Sequence, residues 1–143
     1  MIVRNCLAIL VALLLMIPSG SRAQDVALLL FDGETGRNFA GCLNCRRSDS
    51  ASVCSRYGDY GSRYSDTSIW SRYGSYGGRY ETNSPWSRYG EGLRVVDSEG
   101  NYYGRFSLSR VEQSKLPIVQ ALLEAWEYFD EDRMAIRDWF CDS

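Results

Sequence analysis

The chain has 143 residues and no histidine, with 16 basic against 18 acidic side chains. The missing imidazole removes every triad, metal site and pH switch that depends on it. The length holds one small domain rather than a two-domain enzyme, and the slight acidic balance makes nucleic acid an unlikely general partner.

The first 23 residues read as an export signal. Arg4 supplies a positive start, Leu7 to Ile17 an apolar run, and Pro18-Ser19-Gly20 the break. Ser21-Arg22-Ala23 then offers small residues at a cleavage site before Gln24. The run is shorter than the roughly 20 residues that span a bilayer, and no second such run follows. The expectation is a cleaved signal over 1–23 and a single small domain over 24–143. That domain is exported to the periplasm or extracellular medium and has no transmembrane segment after cleavage.

Export leaves four cysteines, Cys42, Cys45, Cys54 and Cys141. An even set in an oxidising compartment reads as two disulfides, with all three pairings open. Cys42-Leu43-Asn44-Cys45 has zinc-ligand spacing, but a second such pair is missing. A redox-active pair normally sits at a helix N-terminus, and no helical pattern follows Cys45. No metal and no cofactor is expected.

Val26 to Phe31 reads as a strand, Asp32-Gly33-Glu34-Thr35-Gly36 as a turn and Asn38 to Leu43 as the return strand. Between residues 47 and 92 lies a repeat of period 16. Cys54-Ser55-Arg56-Tyr57-Gly58 recurs as Trp70-Ser71-Arg72-Tyr73-Gly74 and as Trp86-Ser87-Arg88-Tyr89-Gly90. Tyr60-Gly61 matches Tyr76-Gly77, Arg63-Tyr64 matches Arg79-Tyr80, and Ser52, Ser68 and Ser84 stand two places before each Cys or Trp. Glycine at this density forbids a helix and allows repeated tight turns. Coils of one sequence stacked side by side put Tyr, Trp and Arg into ladders, and Cys54 in a tryptophan position ties the first coil covalently.

A second hairpin follows, with Leu93 to Val96, the turn Asp97-Ser98-Glu99-Gly100-Asn101 and Tyr102 to Leu108. Its alternating oxygen donors suggest calcium, but the rest of a calcium loop is absent and turn chemistry accounts for them. The tail, 115–141, reads as two helices. Pro117 suits a first helical position, and Ile118, Val119, Leu122, Leu123, Trp126 and Phe129 follow at helical spacing. Asp130-Glu131-Asp132 breaks the pattern, and Met134, Ile136, Trp139 and Phe140 form the second apolar side, with Trp126, Trp139 and Phe140 assigned to the core. The fold class is α+β: a small antiparallel sheet from two β-hairpins, 16-residue Gly/Tyr/Trp-rich repeats inserted between them, and a C-terminal helix pair packed on the sheet.

The Gly41-Cys-Leu-Asn-Cys45 segment, the tandem Trp-Ser-Arg-Tyr-Gly units and the Val95-Val-Asp-x-x-Gly-Asn-Tyr-Tyr-Gly104 hairpin together resemble a family of short exported bacterial proteins to which no activity is assigned. The similarity covers about Val26 to Cys141. It implies bacterial export and a modular repeat, and nothing catalytic. Similar proteins often carry Asn at the positions of Ser71 and Ser87, which marks a need for a small polar group.

No nucleophile–base pair is recognisable, so an enzyme is the least supported class. The leading expectation is an exported, non-catalytic binding module. It contacts a polysaccharide, another cell-envelope component or a protein partner through Trp70, Trp86, Tyr57, Tyr73, Tyr89, Arg56, Arg72 and Arg88. Aromatic faces stack on sugar rings, and guanidinium groups add charge and hydrogen bonds. The alternatives are a structural or accessory envelope protein whose aromatic repeat is its own core, and a thiol-active protein using Cys42 and Cys45. Opposite charge on the C-terminal helices competes for the repeat arginines.

Overall fold

The structure, a computed structural model, describes residues 26–142; the expected signal and its cleavage site lie outside the described residues. Four strands, β1 (Leu28–Asp32), β2 (Phe39–Cys42), β3 (Leu93–Asp97) and β4 (Tyr102–Phe106), form one antiparallel sheet in the order β2-β1-β3-β4. Two hairpins thus lie side by side, joined through β1 and β3, where Leu30 pairs with Val95. Alternation sends Leu30, Leu93, Val95 and Phe106 into the core.

Each hairpin turns on an aspartate. The Asp32 carboxylate accepts hydrogen bonds from the backbone N–H groups of Thr35, Arg37 and Asn38 and from the Thr35 hydroxyl, at 2.7–3.0 Å. Burial alone would raise its pKa. The hydrogen bonds, from the Asn38 and Thr35 N–H groups first, outweigh that and hold it at about 2. Asp97 repeats the device, accepting from the Asn101 side-chain amide, the Tyr103 hydroxyl and the N–H groups of Asn101 and Glu99, and is likewise held at about 2. Both oxygens of this carboxylate accept hydrogen bonds from within its own hairpin, and among the described residues no three His, Cys, Asp or Glu side chains cluster as ligands. A carboxylate depressed in the folded state contributes stability that is complete above its unfolded pKa of about 3.9 and is lost as pH falls through the folded value. Acid unfolding followed by circular dichroism is therefore expected to steepen between about pH 4 and pH 2, and Asp32→Asn to flatten that stretch.

The repeat folds into stacked coils made of β-turns joined corner to corner. Backbone bonds from residue i+3 to residue i recur every third residue: Ser55 to Ser52, Gly58 to Ser55, and, one coil on, Ser71 to Ser68 and Gly74 to Ser71. Bonds from Ser62 to Gly58 and from Gly78 to Gly74 span four residues and absorb one extra residue per coil. Three-residue steps plus that one residue account for a period of 16. Most corner positions are Ser or Gly, the exposed Asp49 and Glu81 being exceptions; Ser52, Ser68 and Ser84 are buried. Each of these three hydroxyls accepts the backbone N–H two residues on, from Cys54, Trp70 and Trp86 respectively. At Gly61 and Gly77 a Cβ would run into the backbone of Ser55 and Ser71, so these corners take glycine only.

Successive coils are fastened through tryptophan. The Trp70 indole N–H donates to the Val53 carbonyl and that of Trp86 to the Ile69 carbonyl, both at 2.7 Å and both 17 residues back. The next carbonyl in this series, that of Pro85, is taken by the Leu108 backbone N–H just beyond β4. At the opposite end β2 lies on the first coil, with Cys42 N–H donating to Ala51 and Val53 N–H to Cys42. The sheet's two outer strands therefore cap the two ends of the stack.

Helix α1 (Pro117–Tyr128) begins at the expected proline and ends before Asp130 and Glu131, both left-handed at φ 52° and 64°. Asp132 caps α2 (Arg133–Asp142) by accepting the N–H groups of Met134 and Ala135. The pair closes the core shared by sheet and coils. Trp126 of α1 stacks on Trp86 with centroids 4.9 Å apart, and Trp86 in turn meets Phe106 of β4 edge-on. Trp139, assigned to the core from its spacing, is 42% exposed and packs against Phe129; its neighbour Phe140 takes the core-facing side with Cys141.

Candidate functional site

The two aromatic residue types of the repeat separate. Trp70 and Trp86 are 1% exposed and form the interior of the stack, 6.2 Å apart. They were expected at a binding surface; their indoles are instead used to bond coil to coil and to fill a segment whose other buried aliphatics are Val53 and Ile69. The tyrosines point the other way. Tyr57, Tyr73 and Tyr89 in one column and Tyr64 and Tyr80 in another are between 81% and 98% exposed. Two repeat tyrosines differ: Tyr60 is half-buried against Phe39, and Tyr76 is buried, its phenol pKa raised by that burial and by the nearby Asp32.

Each exposed tyrosine follows an arginine in the chain, and three of these pairs fold back on themselves. The Arg63, Arg72 and Arg79 guanidinium carbons stand 4.9, 5.8 and 5.9 Å from the ring centres of Tyr64, Tyr73 and Tyr80. Arg63, Tyr64, Arg79 and Tyr80 were not among the expected site residues. The signal was present, since Arg-Tyr occurs five times at alternating spacings of seven and nine residues.

Helix α2 lies along this surface in register with it. Arg133 Nε donates to the Gly77 carbonyl at 2.7 Å and Arg137 Nε to the Gly61 carbonyl at 3.1 Å. Four helical residues rise about 6 Å, close to the 6.2 Å between equivalent tryptophans on adjacent coils. The helix and the coils therefore share a pitch. Between them runs an open groove. Its widest part, 920 Å³, is lined by Arg63, Tyr64, Arg72, Tyr73, Arg79 and Tyr80 on the coil side and by Asp130–Met134 opposite. Smaller hollows continue it past Arg56, Tyr57 and Arg137 to Arg47 and Asp142. Beneath it the Trp126 indole N–H is buried without an acceptor among the described residues.

Charge is distributed unevenly along the groove. Glu131 pairs with Arg79 at 2.9 Å and with Arg88 at 4.0 Å, and Asp142 with Arg47 at 3.4 Å. Among the described residues Arg56, Arg63 and Arg72 have no carboxylate within 4.0 Å. They face further positive charge. Burial, then Arg72, pushes the Arg133 guanidinium below its usual pKa, and burial, then Arg56, does the same to Arg137. The helix acids thus form ion pairs with the repeat arginines toward the two ends of the groove, while in its middle Asp132 and Asp138 line the wall without pairing with Arg56, Arg63 or Arg72.

The four cysteines form Cys42–Cys45 and Cys54–Cys141, each with Cα atoms 5.5 Å apart. Cys42 is buried in the core and Cys45 is half-buried. Cys54 occupies the tryptophan column in the first coil, and its bridge fixes the end of α2 there. No family model matches the chain, and neither a curated protein nor a solved structure is significantly similar to it. Among the described residues no helix is long and apolar enough to cross a membrane.

Proposed function

We infer that the chain is an exported, non-catalytic binding module that contacts a linear partner, a cell-envelope polymer or an extended protein segment, through the tyrosine–arginine face of its coiled repeat. The observation that carries this reading is the division of the repeat aromatics. The interior of the stack is filled by Trp70, Trp86, Val53, Ile69 and Tyr76 with inward serines and glycines, while five tyrosines with adjacent arginines stand outside it on a fixed pitch. An exposed aromatic array of this extent on a scaffold held by two disulfides marks a contact surface. Export is supported by the character of residues 1–23 and by the disulfides, and kinship with short exported bacterial proteins belongs to the same proposal. The purely structural alternative explains Trp70 and Trp86 and leaves the tyrosines without a role.

The double variant Tyr64→Ala/Tyr73→Ala tests the reading. Its thermal midpoint is expected to stay within about 2 °C of the parent, as for other exposed positions. Its retention on a polysaccharide-containing cell-envelope fraction, measured by co-sedimentation, is expected to fall at least about tenfold, the equivalent of about 1.4 kcal/mol. Unchanged retention overturns it.

A further inference from the structure

Resting on that reading, we propose that the groove between the coils and α2 binds an acidic polysaccharide, with sugar carboxylates held by Arg56, Arg63 and Arg72 and pyranose faces laid on Tyr57, Tyr64 and Tyr73. Three observations converge on it. Among the described residues the three arginines in the middle of the groove are without carboxylate partners, whereas Arg79 and Arg88 share Glu131 and Arg47 pairs with Asp142 toward its ends. Two further guanidinium groups, Arg133 and Arg137, line the opposite wall with their Nε atoms committed to the carbonyls of Gly77 and Gly61. Like charges held face to face cost folding energy that a bound anion recovers. An Arg–carboxylate hydrogen bond is the charge-assisted interaction this geometry offers.

The aromatic rungs choose a ring-bearing ligand over a lone anion. Equivalent tryptophans on adjacent coils lie 6.2 Å apart, so a ligand laid along the stack meets an exposed tyrosine with its adjacent arginine at each coil. The carboxylates choose among polyanions. Asp130, Asp132 and Asp138 also line the groove. A uronic-acid glycan carries free hydroxyl donors beside the carboxylate on each ring and so satisfies aspartate as well as arginine, whereas the phosphodiester strand of oligo(dT) has no free sugar hydroxyl along the chain to offer them. The chain as a whole carries a formal charge of −2, so no general attraction for polyanions overrides this selection.

The test uses the exported, oxidised chain and three soluble probes of stated chemistry: polygalacturonate, neutral dextran and oligo(dT). Polygalacturonate is expected to bind at least about tenfold more tightly than either of the others, and to weaken as salt rises from about 50 to 200 mM. Arg63 bonds no carboxylate or carbonyl among the described residues, so Arg63→Gln is expected to leave the thermal midpoint in place and weaken polygalacturonate binding several-fold. Salt-independent binding of dextran and polygalacturonate with equal affinity, still lost in Tyr64→Ala/Tyr73→Ala, overturns the acidic-glycan assignment and leaves the binding-module reading standing. Tighter binding of oligo(dT) overturns it in favour of single-stranded nucleic acid. Failure of all three probes overturns it too. If Tyr64→Ala/Tyr73→Ala also leaves envelope retention unchanged, the broader reading falls with it.

Discussion

Replacing Trp86 with alanine is expected to cost about 3–5 kcal/mol, the range for deleting a large aromatic from a packed core. At roughly 4 °C per kcal/mol for a domain of this size, the thermal midpoint drops by about 12–20 °C. Trp86 is the junction of the molecule. Its N–H holds the second coil through Ile69, its face carries Trp126 of α1, and its edge meets Phe106 of β4. One truncation therefore loosens coils, helix and sheet together, and the loss is cooperative rather than local. Tyr73→Ala, one coil back and on the outside, is expected to move stability by less than about 0.5 kcal/mol. Urea titration of the two variants side by side checks the contrast. Equal losses would mean that the tyrosine column bears load, and the separation of core from surface would have to be abandoned.

Much of this arrangement was legible in the residues. Both hairpins announce themselves because Asp32 and Asp97 each end an apolar strand and open a turn rich in Gly, Thr and Asn, a local code that needs no tertiary information. The helix pair follows in the same way from Pro117 and from three consecutive acids at the break. The period of 16 was equally plain, and so was the recurrence of serine two places before each tryptophan. What the spacing could not decide was which aromatic faces inward. A tryptophan and a tyrosine three residues apart occupy opposite sides of a chain of three-residue turns only once the turn geometry is known, and no helical or strand period describes it. The same gap hid Tyr64 and Tyr80, since their place beside Tyr57 and Tyr73 depends on where each coil takes its extra residue. The docking of α2 was hidden for a different reason. Arg133 and Arg137 read as a solvated helix face, and nothing in sequence tells that their partners are backbone carbonyls of Gly77 and Gly61.

Breaking the bridge between Cys54 and Cys141 is expected to be far more damaging than breaking the one between Cys42 and Cys45. The former closes a loop across 87 residues and the latter across 3. Chain entropy assigns the long loop roughly 4–5 kcal/mol and the short one about 2 kcal/mol. The long bridge also has a position that the entropy argument does not count. Cys54 stands where the later coils carry tryptophan, and without a rung of its own the first coil is held to α2 by Cys141, by the Arg137–Gly61 bond and by the contact of Arg47 with the Cys141 carbonyl and Asp142. In Cys54→Ser/Cys141→Ser the amides of α2 and of residues 54–62 should exchange with solvent well ahead of those in β1 and β3. In Cys42→Ala/Cys45→Ala they should keep their order. Denaturant midpoints give the magnitudes, and hydrogen exchange the sequence of opening. Loss of protection spreading uniformly from the first variant would show that the coils and the sheet open as one unit, and that the bridge restrains the whole chain rather than its first coil.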